Sequence, residues 1–125
     1  MKSKNILYSF KYALEGLGKA IKTERNIKIH ICAMILVIIL GVILKISKIE
    51  WIICVILFGL VISAELFNTA IETAVDIAMP EKDPRAKKAK DVSASAVLVL
   101  AIVSVIIGLM IFIPKLYTYV IQRGM

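Results

Sequence analysis

Apolar residues along the chain follow two patterns. Between positions 5 and 22, Ile6, Leu7, Phe10, Leu14, Leu17 and Ile21 recur at spacings of three and four, while Lys11, Glu15, Lys19 and Lys22 take the opposite face. This predicts an amphipathic helix over residues 5–22, lying in a membrane interface with lysines toward headgroups. Gly16 and Gly18 lower its helix propensity and mark a bend or a close approach. It is read either as a plain surface anchor or as a wall of a ligand site. Residues 27–44, 51–78 and 92–113 are apolar almost all round. Each is long enough to cross a hydrocarbon core, which takes roughly 17–25 residues. The prediction is an all-α membrane protein, one domain over residues 1–125, with a surface helix and three transmembrane helices. Three helices make a thin core, so self-association is expected.

The second span carries the exception to its own pattern. In ELFNTAIETAVD, residues 65–76, Glu65, Asn68, Glu72 and Asp76 fall at about 0°, −60°, −20° and +20° on a helix with 100° per residue. All four share one narrow face, bordered by Thr69 and Thr73. A charge at the bilayer centre costs at least about 2.5–3.5 kcal/mol, so a line of carboxylates points to a bundle interior and a function there. From Trp51 to Met79 the helix is about 43 Å long against a core of about 30 Å, so its inner end emerges into the headgroups. Glu65 lies about 21 Å in from Trp51 by helix rise, Glu72 near the inner boundary and Asp76 near water. The stripe is a ladder from lipid to water.

Composition supports the membrane reading: 60% of residues are hydrophobic and the mean hydropathy is +0.89. The net charge of +7 suggests nucleic acid until its distribution is read. Of the 16 Lys and Arg, seven lie up to Lys28, two between spans one and two, five between spans two and three, and two after span three. With three crossings, twelve fall on one side, which makes that side cytoplasmic and accounts for the excess without nucleic acid. Cys32 and Cys54 lie in apolar runs without a CxxC and read as two buried thiols acting as small apolar residues. Lys2 and Lys4 resemble the n-region of a signal peptide, but Lys11, Glu15, Lys19 and Lys22 break any apolar core for one.

The remaining polar candidates lie near the membrane faces. In Thr23-Glu24-Arg25-Asn26, Thr23 is a candidate N-cap for span one. Glu24 either suits the helix dipole in the first turn or ligates a metal at the face that also holds Glu72 and Asp76. His30, the one histidine, is poor grounds for zinc and reads as a satisfied interfacial residue. Trp51, Tyr117 and Tyr119 fit interfacial belts. Pro80-Glu81-Lys82-Asp83-Pro84 reads as a loop. Arg85, Lys87, Lys88 and Lys90 are a positive-inside anchor or a grip on polyphosphate. Lys90-Asp91 opens span three, where helix amides favour anions, or Asp91 caps it. Ser93, Ala94, Ser95 and Ala96 allow close helix packing, and Pro114-Lys115 stops span three. No GxGxxG or GxxxxGK[ST] loop occurs.

The strings ELFNTAIETAVD and AKDVSASAVL, at this spacing and on these spans, resemble the prokaryotic diacylglycerol kinase family over nearly the whole chain. TERN before span one and the GLMIFIPKL ending look more like its Gram-positive branch, whose members typically phosphorylate undecaprenol. The resemblance implies a homotrimer, ATP with Mg²⁺ as phosphoryl donor, and a membrane lipid alcohol as acceptor. It implies Glu65 as catalytic base, Glu24 and Glu72 as metal ligands, and Asn68 and Asp76 as further polar site residues. It places Lys90 and Asp91 on the nucleotide, with the stretch Glu81, Lys82 and Asp83, whose residue types differ from the best-known member, and Tyr12 on the surface helix. His30 stands where that member has a Glu, and its role is left open. The chemistry of the residues agrees, since phosphoryl transfer needs neutralised phosphate charge and an aligned nucleophile. The acceptor is undecaprenol or, alternatively, diacylglycerol. A reading from a different class is a small oligomeric cation transporter or assembly protein, for which Lys90-Asp91 and Glu24 are superfluous.

Overall fold

The computed structural model describes residues 5–124, as four helices: α1, Ile6–Thr23; α2, Arg25–Leu44; α3, Lys48–Ala78; and α4, Pro84–Gly124. Lys2 and Lys4 lie outside the described residues. Three of the helices, α2, α3 and α4, are long and apolar enough to cross a membrane. The surface helix and spans fall where the periodicity predicts, with differences at the ends that have local causes.

The Asn5 side chain caps α1, accepting from the Leu7 amide at 3.0 Å. The apolar face of α1 stays exposed: Ile6, Leu7, Phe10 and Leu14 are uncovered by the rest of the chain, as expected of a face meant for lipid. Gly16 and Gly18 neither interrupt the helix nor mark a close approach. The helix runs through both, and a Cβ at either would meet open space.

Thr23 does not cap α2. Its hydroxyl donates back to the Lys19 carbonyl at 2.8 Å, an internal option open to threonine late in a helix. Glu24 is the single non-helical residue between α1 and α2 (φ −95°, ψ 114°) and makes no side-chain cap. Its amide closes α1 by donating to the Ala20 carbonyl at 2.8 Å.

Lys45 ends α2 in the left-handed conformation, φ 54° and ψ 55°. The Ile46 amide then donates to the Gly41 carbonyl at 3.1 Å, the long-range bond of a Schellman closure. Burial of the Ile46 side chain holds a lysine where glycine is usual. Ser47 and Glu50 form a reciprocal capping box, with the Glu50 amide donating to Ser47 Oγ at 3.2 Å and the Ser47 amide to Glu50 Oε1 at 2.8 Å. That satisfies two otherwise unpaired donors, and α3 starts at Lys48 rather than Trp51. Trp51 is not simply an interfacial belt residue: its indole lies over Gly41 of α2. The main core lies at this end, where Ile46, Cys54 and Ile111 are buried among Trp51, Phe58 and Phe112. Cys54 fits the buried reading, but Cys32 is exposed on the outer side of α2.

Span three departs most from expectation. Its helix begins at Pro84, in the loop expectation, because proline suits a first helical turn; the Asp83 side chain accepts from the Arg85 amide at 2.7 Å. Lys90 and Asp91 are therefore well inside α4 and do not open it. Nor does Pro114 stop it. On one side Ile111 is buried and Phe112 packs on the core. On the other, Lys115 reaches Glu50 at 3.4 Å and the Thr118 hydroxyl donates to the Pro114 carbonyl at 3.0 Å. Contacts on both sides carry the helix through the lost backbone donor.

Candidate active site

The end of the bundle away from that core holds the polar stripe. Exposure rises along it as the ladder predicts. Glu65 and Asn68 are buried, at 3% and 6% of their surface. Glu72 is half-buried and Asp76 exposed. A buried carboxylate is costly unless hydrogen-bonded, and Glu65 finds its partner on the neighbouring helix: His30 Nε2 lies 3.2 Å from Glu65 Oε1. The satisfied histidine of the sequence reading is thus satisfied by the deepest acid of the stripe.

Asn68 Nδ2 donates to Glu72 Oε1 at 3.0 Å, which ties two steps of the stripe together and sets the amide's orientation. Its Oδ1 is left buried without a hydrogen-bond partner, as is the hydroxyl of buried Ser93 on α4. One turn further, Asp76 is ion-paired with Lys90 of α4. Two candidates separated by a loop are thereby joined across the α3–α4 contact, the most extensive helix pairing in the chain.

Two cavities meet at His30. The smaller, about 270 Å³, is lined by Asn26 and His30 from α2, Glu65 and Asn68 from α3, and Ala94, Val97, Leu98 and Ala101 from α4. The larger, about 360 Å³, runs toward the opposite end between the same helices, lined mainly by apolar side chains such as Met34, Val61, Leu57 and Phe112. His30 lines both.

The other candidates are held differently. Asp83 is taken up by Arg85, with two side-chain hydrogen bonds at 3.1 and 2.8 Å. The Arg85 side chain, with its amide, holds the Asp83 carboxyl below its ordinary value. Asp91 pairs with Lys87 one turn earlier at 2.5 Å. Glu81 and Lys82 are exposed in the loop. Tyr12 is exposed on α1, its ring stacked on Tyr8 with centroids 6.5 Å apart. None of these side chains joins the Glu65–Asp76 cluster.

Among the described residues, no three of the His, Cys, Asp and Glu side chains converge on a point that would hold a metal. A caged site such as structural zinc is therefore not built here. Mg²⁺ bound with a nucleotide is a different case, since one or two carboxylates suffice when phosphates complete the shell. Glu24 and Glu72 are both half-buried and lie at the same end. Glu24 precedes Asn26 by two residues, Glu72 follows Asn68 by one turn, and Asn26 and Asn68 share a cavity. This donor set fits Mg²⁺ carried by phosphates.

Sequence reasoning passed over Asn26 and the His30–Glu65 contact. A polar residue just inside an apolar run was the available signal for both. What it lacked was the rotation of α2 that turns them toward α3.

The family model for prokaryotic diacylglycerol kinase matches residues 11–112. The chain is 47% identical over 108 residues to the undecaprenol kinase of Bacillus subtilis, covering 86% of this chain and 88% of that one. It is 36% identical over 110 residues to the diacylglycerol kinase of Haemophilus influenzae, covering 86% and 92%. It is 36% identical over 118 residues to the diacylglycerol kinase of Synechocystis, covering 94% and 67%.

Proposed function

The chain belongs to the prokaryotic diacylglycerol kinase family, and from that premise we propose that this bacterial membrane enzyme transfers the γ-phosphoryl group of ATP to undecaprenol. Undecaprenol is favoured by the relative of that activity at 47% identity. Diacylglycerol is the second reading, supported by the relatives named as diacylglycerol kinases. The observation that carries the reading is the graded stripe. At its foot a buried carboxylate touches His30, which lines an apolar cavity suited to hydrocarbon, and at its head charged groups are exposed.

In this reading the lipid hydroxyl enters beside Glu65. Its oxygen bonds to the γ-phosphorus as the bond to the bridging oxygen of ADP breaks, and its proton passes to the Glu65 carboxylate. Asn68 steadies Glu72 through its 3.0 Å bond. Lys90, positioned by Asp76, offsets negative charge on the transferring group. Glu24 and Glu72 would hold Mg²⁺, which supplies charge neutralisation on the phosphates when bound. Tyr12, Glu81, Lys82, Asp83 and Asp91 are assigned to the nucleotide by resemblance. Asp83 and Asp91 are already engaged with Arg85 and Lys87, so they act on it from a structural position.

The whole chain forms one lipid kinase domain. The Lys- and Arg-rich end that carries the stripe faces the cytoplasm by the positive-inside rule, which puts ATP on the correct side. Among the described residues, only Ile27 of the large side chains is fully buried, and many apolar residues of α2, α3 and α4 are exposed. Lipid covers part of that surface, and further copies in a homotrimer cover the rest.

Purified protein given labelled ATP with undecaprenol or diacylglycerol, side by side, tests the proposal. Undecaprenyl phosphate as the main product is expected. Phosphatidic acid alone would move the acceptor to diacylglycerol, and no labelled lipid from either would remove the kinase reading.

A further inference from the structure

His30 is used by no part of the mechanism above, yet it is the ionisable group in contact with Glu65. Nε2 stands 3.2 Å from Oε1, within reach for proton transfer. The Glu65 side chain is 4% exposed and that of His30 is 23% exposed. Around the small cavity α2 contributes Asn26 and His30, α3 contributes Glu65 and Asn68, and α4 contributes only apolar side chains. His30 and Glu65 are thus the only titratable groups lining that cavity.

A base sealed in this way has a second task besides taking a proton. Each transfer leaves that proton on Glu65, and the next hydroxyl finds no base until it has gone. Burial slows direct loss to water, and the large cavity brings to Glu65 no base except His30, its other polar groups being the Cys54 thiol and the Ser104 hydroxyl. An imidazole can accept a proton on one ring nitrogen and release one from the other, and this one touches the buried carboxylate while being the more exposed of the two.

We propose that His30 is the proton outlet of Glu65. After phosphoryl transfer the Oε1–H bond of Glu65 breaks as an N–H bond forms at His30 Nε2, leaving a carboxylate and an imidazolium. The imidazolium gives one proton to water and returns to the neutral ring. Water is the final acceptor, and no other co-reactant is needed. His30 acts through Glu65 and is a positioning and relay residue for it. The inference rests on the reading of Glu65 as the base.

The test uses the full chain in phosphatidylglycerol vesicles containing undecaprenol, with the His30→Gln, His30→Ala and Glu65→Gln variants compared in parallel. His30→Gln and His30→Ala are expected to lower kcat by about tenfold or more with both KM values nearly unchanged. Added imidazole is expected to restore part of the kcat of His30→Ala, and not that of Glu65→Gln. A purely packing role for His30 predicts no rescue. A His30→Gln enzyme with kcat within about twofold of wild type, or a His30→Ala loss that imidazole leaves unchanged, overturns the outlet. An inactive Glu65→Gln beside a normal His30→Gln removes only this inference, whereas an active Glu65→Gln removes the base reading beneath it.

Discussion

Lys90 of α4 is ion-paired with Asp76 of α3, although fourteen residues and a proline-bounded loop separate them in the chain. The side chains are 37% and 62% exposed, and such pairs contribute only about 0–1 kcal/mol to stability. The contact matters for where it holds the ammonium, at the watery head of the acidic stripe.

Lys90→Gln is therefore expected to lower kcat/KM for ATP by about tenfold or more, the scale of one lost electrostatic contact to a transferring phosphoryl group. Asp76→Asn, which frees Lys90 without removing it, should have a smaller effect. Equal losses in the two variants, measured by steady-state kinetics, would reduce Lys90 to a structural partner of Asp76.

Glu65→Gln keeps the shape of the site and a hydrogen-bonding group beside His30 but cannot take a proton. Transfer should fall by at least about 10²-fold, while ATP binding by a fluorescent analogue stays close to wild type. Near-normal turnover would take Glu65 out of the mechanism.

Glu72→Gln should weaken Mg²⁺-dependent nucleotide binding, seen as a rise in the Mg²⁺ concentration needed for half-maximal binding. Asn68→Ala, which releases Glu72 Oε1 from its 3.0 Å bond, should move the same curve less far. An unchanged Mg²⁺ requirement in Glu72→Gln would count against the ligand assignment.

Gly41→Ala tests the packing of α2 on α3. A Cβ there would stand 2.6 Å from Trp51 Cη2 and 2.8 Å from Cζ2, too close without displacement of a rigid ring. Overpacking of this kind costs about 1–3 kcal/mol, read as lowered resistance to denaturant in detergent. A wild-type midpoint would mean that the indole moves freely.

Asp83 predicts an acid-sensitive start to α4. Its folded pKa lies below the unfolded value because of Arg85. Its contribution is therefore complete above the unfolded value, about 3.9, and lost as pH falls through the folded one. The protection of the Lys87 amide against exchange, relative to an unstructured amide at the same pH, should fall below about pH 4 in wild type, since its N–H donates to the Asp83 carbonyl at 3.1 Å. In Asp83→Asn the protection should be low already at neutral pH and show less of this acid step. Identical profiles would free the helix start from the carboxylate.

The chain's own order of residues determined the helices, the single polar stripe and the depth order of Glu65, Asn68, Glu72 and Asp76, because periodicity and helix rise are local properties. It also held a signal for the start of α3, in the Ser47–Glu50 spacing, that was passed over in favour of an outer turn. Packing decided the rest. That His30 meets Glu65, that Lys90 meets Asp76, that Trp51 covers Gly41 and that Cys32 turns outward all depend on how each helix is rotated against its neighbours. So does the passage of α4 through Pro114, which contacts at Ile111 and Lys115 sustain. A helix's face is written in its residues, but its partner across the bundle is chosen only when side chains from distant positions compete for the same space.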